Sequence, residues 1–76
     1  MVLVSSNLKH RRVLGETIRI CRKRAGLSQE MLAEKSELHP GYLSTVERGA
    51  KTISMDALVR IAKALGVRVR DLVADV

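Results

Sequence analysis

The chain has 76 residues, of which 46% are hydrophobic and 29% are charged, and this length leaves room for only one domain. Its single cysteine, Cys21, excludes an intramolecular disulfide and a cysteine-rich zinc site. Tyr42 is the only aromatic residue, which argues against a stacking surface for single-stranded nucleic acid, because such a surface needs several rings.

The opening segment from Met1 to Leu8 carries no charge. It is too short for the apolar core of a signal peptide or for a membrane span. We therefore expect a cytoplasmic protein that has no membrane partner.

The positive charge is concentrated in the first third of the chain. The formal net charge is +6 at pH 7. Residues 1–28 contain seven basic residues and only one acidic residue, Glu16, whereas the basic and acidic residues of 29–76 cancel. A neutral body with a basic first segment favours a polyanionic partner. The alternative is that lysine and arginine only keep a small protein soluble.

Hydrophobic spacing predicts an all-α domain of five helices. The first is predicted over residues 8–25, where Leu14, Ile18 and Cys21 recur at helical spacing and Gly26 supplies a left-handed stop. Residues 1–7 are predicted to form a flexible N-terminal tail, and residues 8–76 the domain.

Two short helices follow, joined by a turn of three residues. Ser28 is a good N-cap for a helix over 29–36, and Pro40 suits the first position of a helix over about 40–48. Two short helices with so small a turn between them are typical of a helix-turn-helix.

The last two helices are predicted from an apolar stripe and its flanking signals. The fourth helix begins after Ser54 and ends at Gly66, with a stripe of Leu58, Ile61, Ala62 and Leu65. A short fifth helix over about 69–74 is predicted to bury Leu72.

Three blocks of this chain form a recognisable pattern, which reads GLSQExLAEK at 26–35, YLSxVERG at 42–49 and LxxIAKALGV at 58–67. In this order and at this spacing, the blocks resemble the Cro/C1-type helix-turn-helix family, also called the Xre family. The family includes phage repressors, restriction–modification controller proteins and some antitoxins. The resemblance extends over roughly residues 14–74 and implies a compact lambda-repressor-like fold that binds double-stranded DNA.

The resemblance implies that the third helix reads bases in the major groove, which is wide enough to admit a helix. Pro40 and Gly41 depart from the polar pair that some members carry, so Gly41 is expected to let the backbone approach DNA. His39 is alternatively a helix cap, Ser44 and Thr45 a solvated face, and Arg48 a complement to the helix dipole. The predicted base-reading residues are His39, Gly41, Ser44, Thr45 and Arg48.

Phosphate contacts are expected on both sides of that helix. The resemblance implies that Gln29 contacts phosphate and supports the recognition helix, and that Tyr42 bonds to the DNA backbone or, alternatively, caps the core. The predicted phosphate contacts are Gln29, Tyr42, Lys51 and Thr52. In the first helix, Lys9, Arg11 and Arg12 either reach phosphates or solvate the helix.

Some residues are assigned to scaffolding or assembly. The resemblance implies a structural ion pair between Arg22 and Glu47. A monomer of this size contacts too few bases for high specificity, so a homodimer on a pseudo-palindromic operator is predicted. The C-terminal end has more apolar surface than one small core needs, which makes it the candidate for the interface. The interface candidates are Leu65, Val67, Val69, Leu72 and Val73. Alternatively, Leu65 and Leu72 complete the core of one chain.

No catalytic constellation is visible, because His10 and His39 are far apart in sequence and Cys21 lacks an orienting group. The expectation is therefore a protein that is not an enzyme and has no cofactor, no metal and no small-molecule effector. Cys21 is predicted to be a buried structural thiol. A second hypothesis is an antitoxin-like interaction module that neutralises a partner toxin and autoregulates its operon.

Overall fold

Five helices follow one another in the computed structural model, which describes residues 4–76 and, within the first helix, side chains from Leu8 onward. They are α1 (Val4–Arg24), α2 (Gln29–Ser36), α3 (Pro40–Glu47), α4 (Met55–Leu65) and α5 (Val69–Val73). Residues 4–76 contain no strand. The prediction of an all-α fold with five helices is confirmed.

The ends of the helices follow the local signals closely, with one clear difference. The hydroxyl oxygens of Ser28 and Ser54 each accept a hydrogen bond from a backbone N–H in the first turn of α2 and α4, both at 3.1 Å. The first helix begins at Val4 rather than at Leu8, since no glycine or proline interrupts that stretch. Residues 1–3 of the predicted tail lie outside the described residues.

Each helix contributes one completely buried side chain to a single core. Helix α2 packs against α3 and α4, α1 packs against α3 and α5, and α4 packs against α5. The five buried side chains are Ile18, Leu32, Leu43, Ile61 and Leu72, all with 0% exposure. A helix of five residues has little else to hold it to the domain, so the burial of Leu72 attaches α5.

A buried polar network joins the first three helices. Arg22 on α1 donates from Nε to Glu47 Oε2 at 2.7 Å and from Nη2 to Glu47 Oε1 at 3.1 Å. Gln29 on α2 donates from Nε2 to Glu47 Oε1 at 2.9 Å, and Arg22 Nη1 donates to the backbone oxygen of Leu27 at 2.9 Å. The Glu47 side chain is only 2% exposed. The network therefore fixes the end of α3 against α1 and α2.

The turn between α2 and α3 contains a residue in the left-handed backbone conformation, which is usually adopted by glycine. Glu37 has φ 58° and ψ 42°, and it is the one residue other than glycine with positive φ in the described part of the chain. The N–H of Leu38 closes the turn on the backbone oxygen of Ala33 at 2.8 Å. No local sequence signal indicates this left-handed residue, because the position is not a glycine.

The buried network leads to a prediction about stability. Glu47→Ala is expected to lower the free energy of unfolding by roughly 3–5 kcal/mol, since the buried guanidinium of Arg22 loses its bidentate partner. Gln29→Ala is the matched control and should cost about 1 kcal/mol, because Arg22 still holds the carboxylate. Urea denaturation followed by circular dichroism measures both. Equal losses for the two variants would contradict a network organised around the ion pair.

The turn leads to a prediction of the opposite sign. Glu37→Gly is expected to raise the free energy of unfolding by about 1 kcal/mol, because glycine adopts left-handed backbone without the steric cost of a Cβ. Glu34→Gly, inside α2 and also exposed, should lower the free energy of unfolding by about 1 kcal/mol. The same urea titration compares them, and a loss of stability in Glu37→Gly would refute the backbone argument.

Candidate nucleic-acid interface

Helix α3 has a buried face and an open face. Leu43 and Val46 are buried, with 0% and 2% exposure, against the core residues Leu32 and Ala33 of α2. The spacing of 41, 44, 45 and 48 places those four residues on the opposite side of the helix. The structure therefore brings four of the five predicted base-reading residues together on one face, with His39 at its start.

His39 is the N-cap of α3, which was the alternative interpretation of this residue. Its Nδ1 accepts a hydrogen bond from the Gly41 N–H at 3.0 Å. The proton of the neutral ring is therefore on Nε2, and Nε2–H remains as a donor for another group. A Cβ at Gly41 would lie 3.1 Å from His39 Nδ1, so a larger residue there would crowd the capping ring.

The other polar side chains of this face differ in what they can donate or accept. Thr45 Oγ1 donates to the backbone oxygen of Gly41 at 2.8 Å, so its hydroxyl is left as an acceptor. Ser44 is half-buried and Arg48 is exposed. Neither side chain takes part in a hydrogen bond with another of the described residues, so both keep their donors for a ligand.

The predicted phosphate contacts lie at the start of α2, in the first turn of α3 and in the loop that follows α3. Gln29 begins α2, where the first backbone N–H groups have no partner within the helix, and its side chain already supports Glu47. Tyr42 is half-buried against the core, and its hydroxyl accepts from the Ser54 N–H at 3.3 Å. The hydroxyl proton of Tyr42 therefore remains as a donor. Lys51 and Thr52 are exposed in the loop between α3 and α4.

A close approach between α1 and the end of α3 was missed by the sequence reasoning. A Cβ on Gly15 would lie 2.6 Å from the Glu47 backbone oxygen, so only glycine fits at this crossing. The available signal was a glycine inside a helical stretch that does not end there. This contact sets the position of the open face relative to α1.

The predicted assembly residues separate into two groups. Leu65, Val67 and Val69 are partly buried against the core, whereas Val73 is 37% exposed. The prediction that Leu72 lies at an interface between chains is wrong, because this side chain is completely buried within one chain. Its burial corresponds to the alternative in which Leu72 completes the core.

Cys21 is half-buried against the core rather than fully buried as predicted. Within the described residues, no histidine, cysteine or acidic side chains are grouped so as to hold a metal ion. No helix over those residues is both long enough and apolar enough to cross a membrane.

Comparison with known proteins agrees with this geometry. The helix-turn-helix family model HTH_3 matches residues 18–72. The chain is 41% identical over 63 residues to control protein C.BamHI of Bacillus amyloliquefaciens, covering 82% of this chain and 78% of the relative. It is 42% identical over 60 residues to control protein C.SmaI of Serratia marcescens, covering 79% of this chain and 71% of that relative.

A solved structure shows the same arrangement of helices. The restriction-modification controller protein C.AhdI of Aeromonas hydrophila superposes with a TM-score of 0.80 at 37% identity, over 82% of this chain and 94% of that one. Residues 18–72, which the family model matches, contain all of α2, α3 and α4. They therefore include the open face of α3 and the buried network at its end. The chain belongs to the Cro/C1-type helix-turn-helix family of DNA-binding transcription regulators.

Proposed function

We propose that this chain binds a pseudo-palindromic operator as a homodimer, with α3 of each chain in the major groove. The observation that supports the proposal most directly is the open face of α3. Leu43 and Val46 are buried on the opposite face of the helix and hold it in the core, so the polar groups of the open face are fixed in position. A groove about 12 Å wide accepts such a helix and presents a distinct pattern of donors and acceptors for each base pair. Similarity to control proteins supports a role as a controller of this type.

The hydrogen bonds within α3 define what each side chain offers to a base. Thr45 offers acceptor lone pairs, which suit the amino group of adenine or cytosine, and its methyl suits the methyl group of thymine. Arg48 and the Nε2–H of His39 are donors, which suit the acceptors of guanine. We expect the half-site to contain bases that match this order of donors and acceptors.

Phosphate binding would hold α3 in register in the groove. The free N–H groups at the start of α2, with Gln29, form an anion-binding end on one side. Lys51 and Thr52 follow α3 on the other side, and Tyr42 keeps a free hydroxyl proton. Such contacts set orientation and carry no sequence information by themselves.

A homodimer would place two such helices on one face of the duplex. Half-sites one helical turn apart, about 34 Å, match two recognition helices related by a two-fold axis. Val73 at 37% and Val76 at 48% are exposed apolar side chains near the C-terminal end, beside the partly buried Leu65, Val67 and Val69. This end of the domain is the proposed interface.

The proposed reading of bases is tested by selecting sites from a random duplex pool. The wild-type chain is expected to recover an inverted repeat. Thr45→Val, which replaces the hydroxyl with a methyl group, should change the preferred base at one position of each half-site at a cost of about 1–3 kcal/mol. Lys51→Gln is the control and should weaken binding to all sequences about equally. Recovery of no motif by the wild type would reject this function and favour an interaction module.

The proposed homodimer is tested by sedimentation of charged variants. Val73→Glu is expected to yield monomers and to reduce operator binding, because a carboxylate would be buried in the interface. Ile20→Glu on α1 is the matched control, since Ile20 is similarly exposed at 39%. Sedimentation velocity at several concentrations distinguishes the two variants. A dimer that persists in Val73→Glu would place the interface elsewhere.

A further inference from the structure

Three basic residues lie near the start of the described side chains of α1, and the structure uses them differently. Arg11 is half-buried, and its Nε donates to the backbone oxygen of Gly49 at 3.2 Å. Lys9 and Arg12 are both exposed. Neither has a hydrogen-bond or ion-pair partner among the residues whose side chains are described. Arg11 is thus a positioning residue whose side chain is held on Gly49, whereas the exposed side chains of Lys9 and Arg12 are free to reach a ligand.

Arg12 lies directly beside the end of the recognition helix. A Cβ on Gly49 would be 2.8 Å from both Cα and Cγ of Arg12, and Gly49 immediately follows Arg48. The stem of Arg12 therefore starts in contact with the turn that ends α3. Lys9 is three residues earlier on the same helix, which makes it a surface neighbour of Arg12.

The carboxylates on α1 and at the end of α3 do not form ion pairs with Lys9 or Arg12. Glu16 Oε2 pairs with Arg19 Nη1 at 3.3 Å, and Glu47 is buried in its ion pair with Arg22. No ion pair among the described side chains compensates the positive charges near the end of α3, which belong to Lys9, Arg11, Arg12, Arg48 and Lys51. Uncompensated positive charge on one exposed surface raises the local concentration of a polyanion.

We infer that Lys9 and Arg12 bind phosphates of the operator backbone, and that they extend the phosphate contact of Lys51 onto α1. This inference rests on the proposed function, because a helix lying in the major groove brings its flanking elements against the phosphates that border the groove. It resolves the two alternatives for the basic start of α1. Arg11 fixes the helix on Gly49, whereas Lys9 and Arg12 reach the DNA.

The test removes the two charges and keeps the packing. Lys9→Gln with Arg12→Gln retains Cβ and Cγ at both positions, so the contact with Gly49 is preserved. The matched control is Lys35→Gln with Lys63→Gln, which removes the same charge from exposed sites in the last turns of α2 and α4. Circular dichroism and thermal unfolding check that both variants fold like the wild type.

The readout is the dependence of operator affinity on salt, measured by fluorescence anisotropy between 50 and 200 mM salt. The slope of log K against log salt should become shallower by about 0.9 for each lost phosphate contact, which is about 1.8 per bound chain. At about 0.15 M salt this corresponds to a loss of affinity of roughly thirtyfold for each bound chain. The control should keep the wild-type slope, and Lys9→Arg with Arg12→Lys should restore it.

Phosphate ethylation interference gives an independent outcome. One or two phosphates whose ethylation blocks the wild type should become tolerated in the Lys9→Gln, Arg12→Gln variant, and none should in the control. An unchanged slope in that variant, or an equal change in the control, would overturn the inference while leaving the proposed function intact. If the wild type does not prefer its selected operator over unrelated duplex, the proposed function itself fails.

Discussion

Glu47 ends α3 with a carboxylate that is almost completely buried, and the arrangement of the DNA-binding helices depends on how that charge is satisfied. Arg22 supplies a bidentate partner from α1, and Gln29 supplies a third hydrogen bond from α2. A buried carboxylate without these donors would be very costly, so other placements of α3 are disfavoured. The pair thereby acts on geometry more than on net stability, since its desolvation offsets much of its attraction.

The open face of α3 is held in place by interactions on its other side. Leu43 and Val46 pack into the core with α2, and the capping ring of His39 fixes the first turn. Of the outward residues, Gly41 and Ser44 are small, and the Thr45 hydroxyl is anchored on the Gly41 oxygen. A surface organised in this way before binding loses less conformational freedom when it meets a ligand.

Helix α1 connects the electrostatics of the chain to its packing. The net positive charge of the chain lies entirely on α1. Gly15 permits α1 to cross close to the end of α3, and Arg11 bonds to Gly49 beyond that end. The excess positive charge consequently lies on the helix that packs against α3, the helix proposed to enter the groove.

The sequence by itself determined the elements and the family. Caps such as Ser28 and Ser54, left-handed glycines such as Gly66 and the stripe of α4 act within about one helical turn, so they are readable without tertiary structure. The family blocks then indicated a structural ion pair of Arg22 and Glu47 and a polar outer face on α3.

Only the tertiary structure decided how residues distant in sequence share their contacts. Gln29 donates to a residue 18 positions away, and Arg11 to one 38 positions away. The same packing buried Leu72, which sequence reasoning had placed at an interface, and forced left-handed backbone on Glu37. Such contacts depend on the crossing of whole helices, and that crossing is set by the fit of side chains from all five helices in one core.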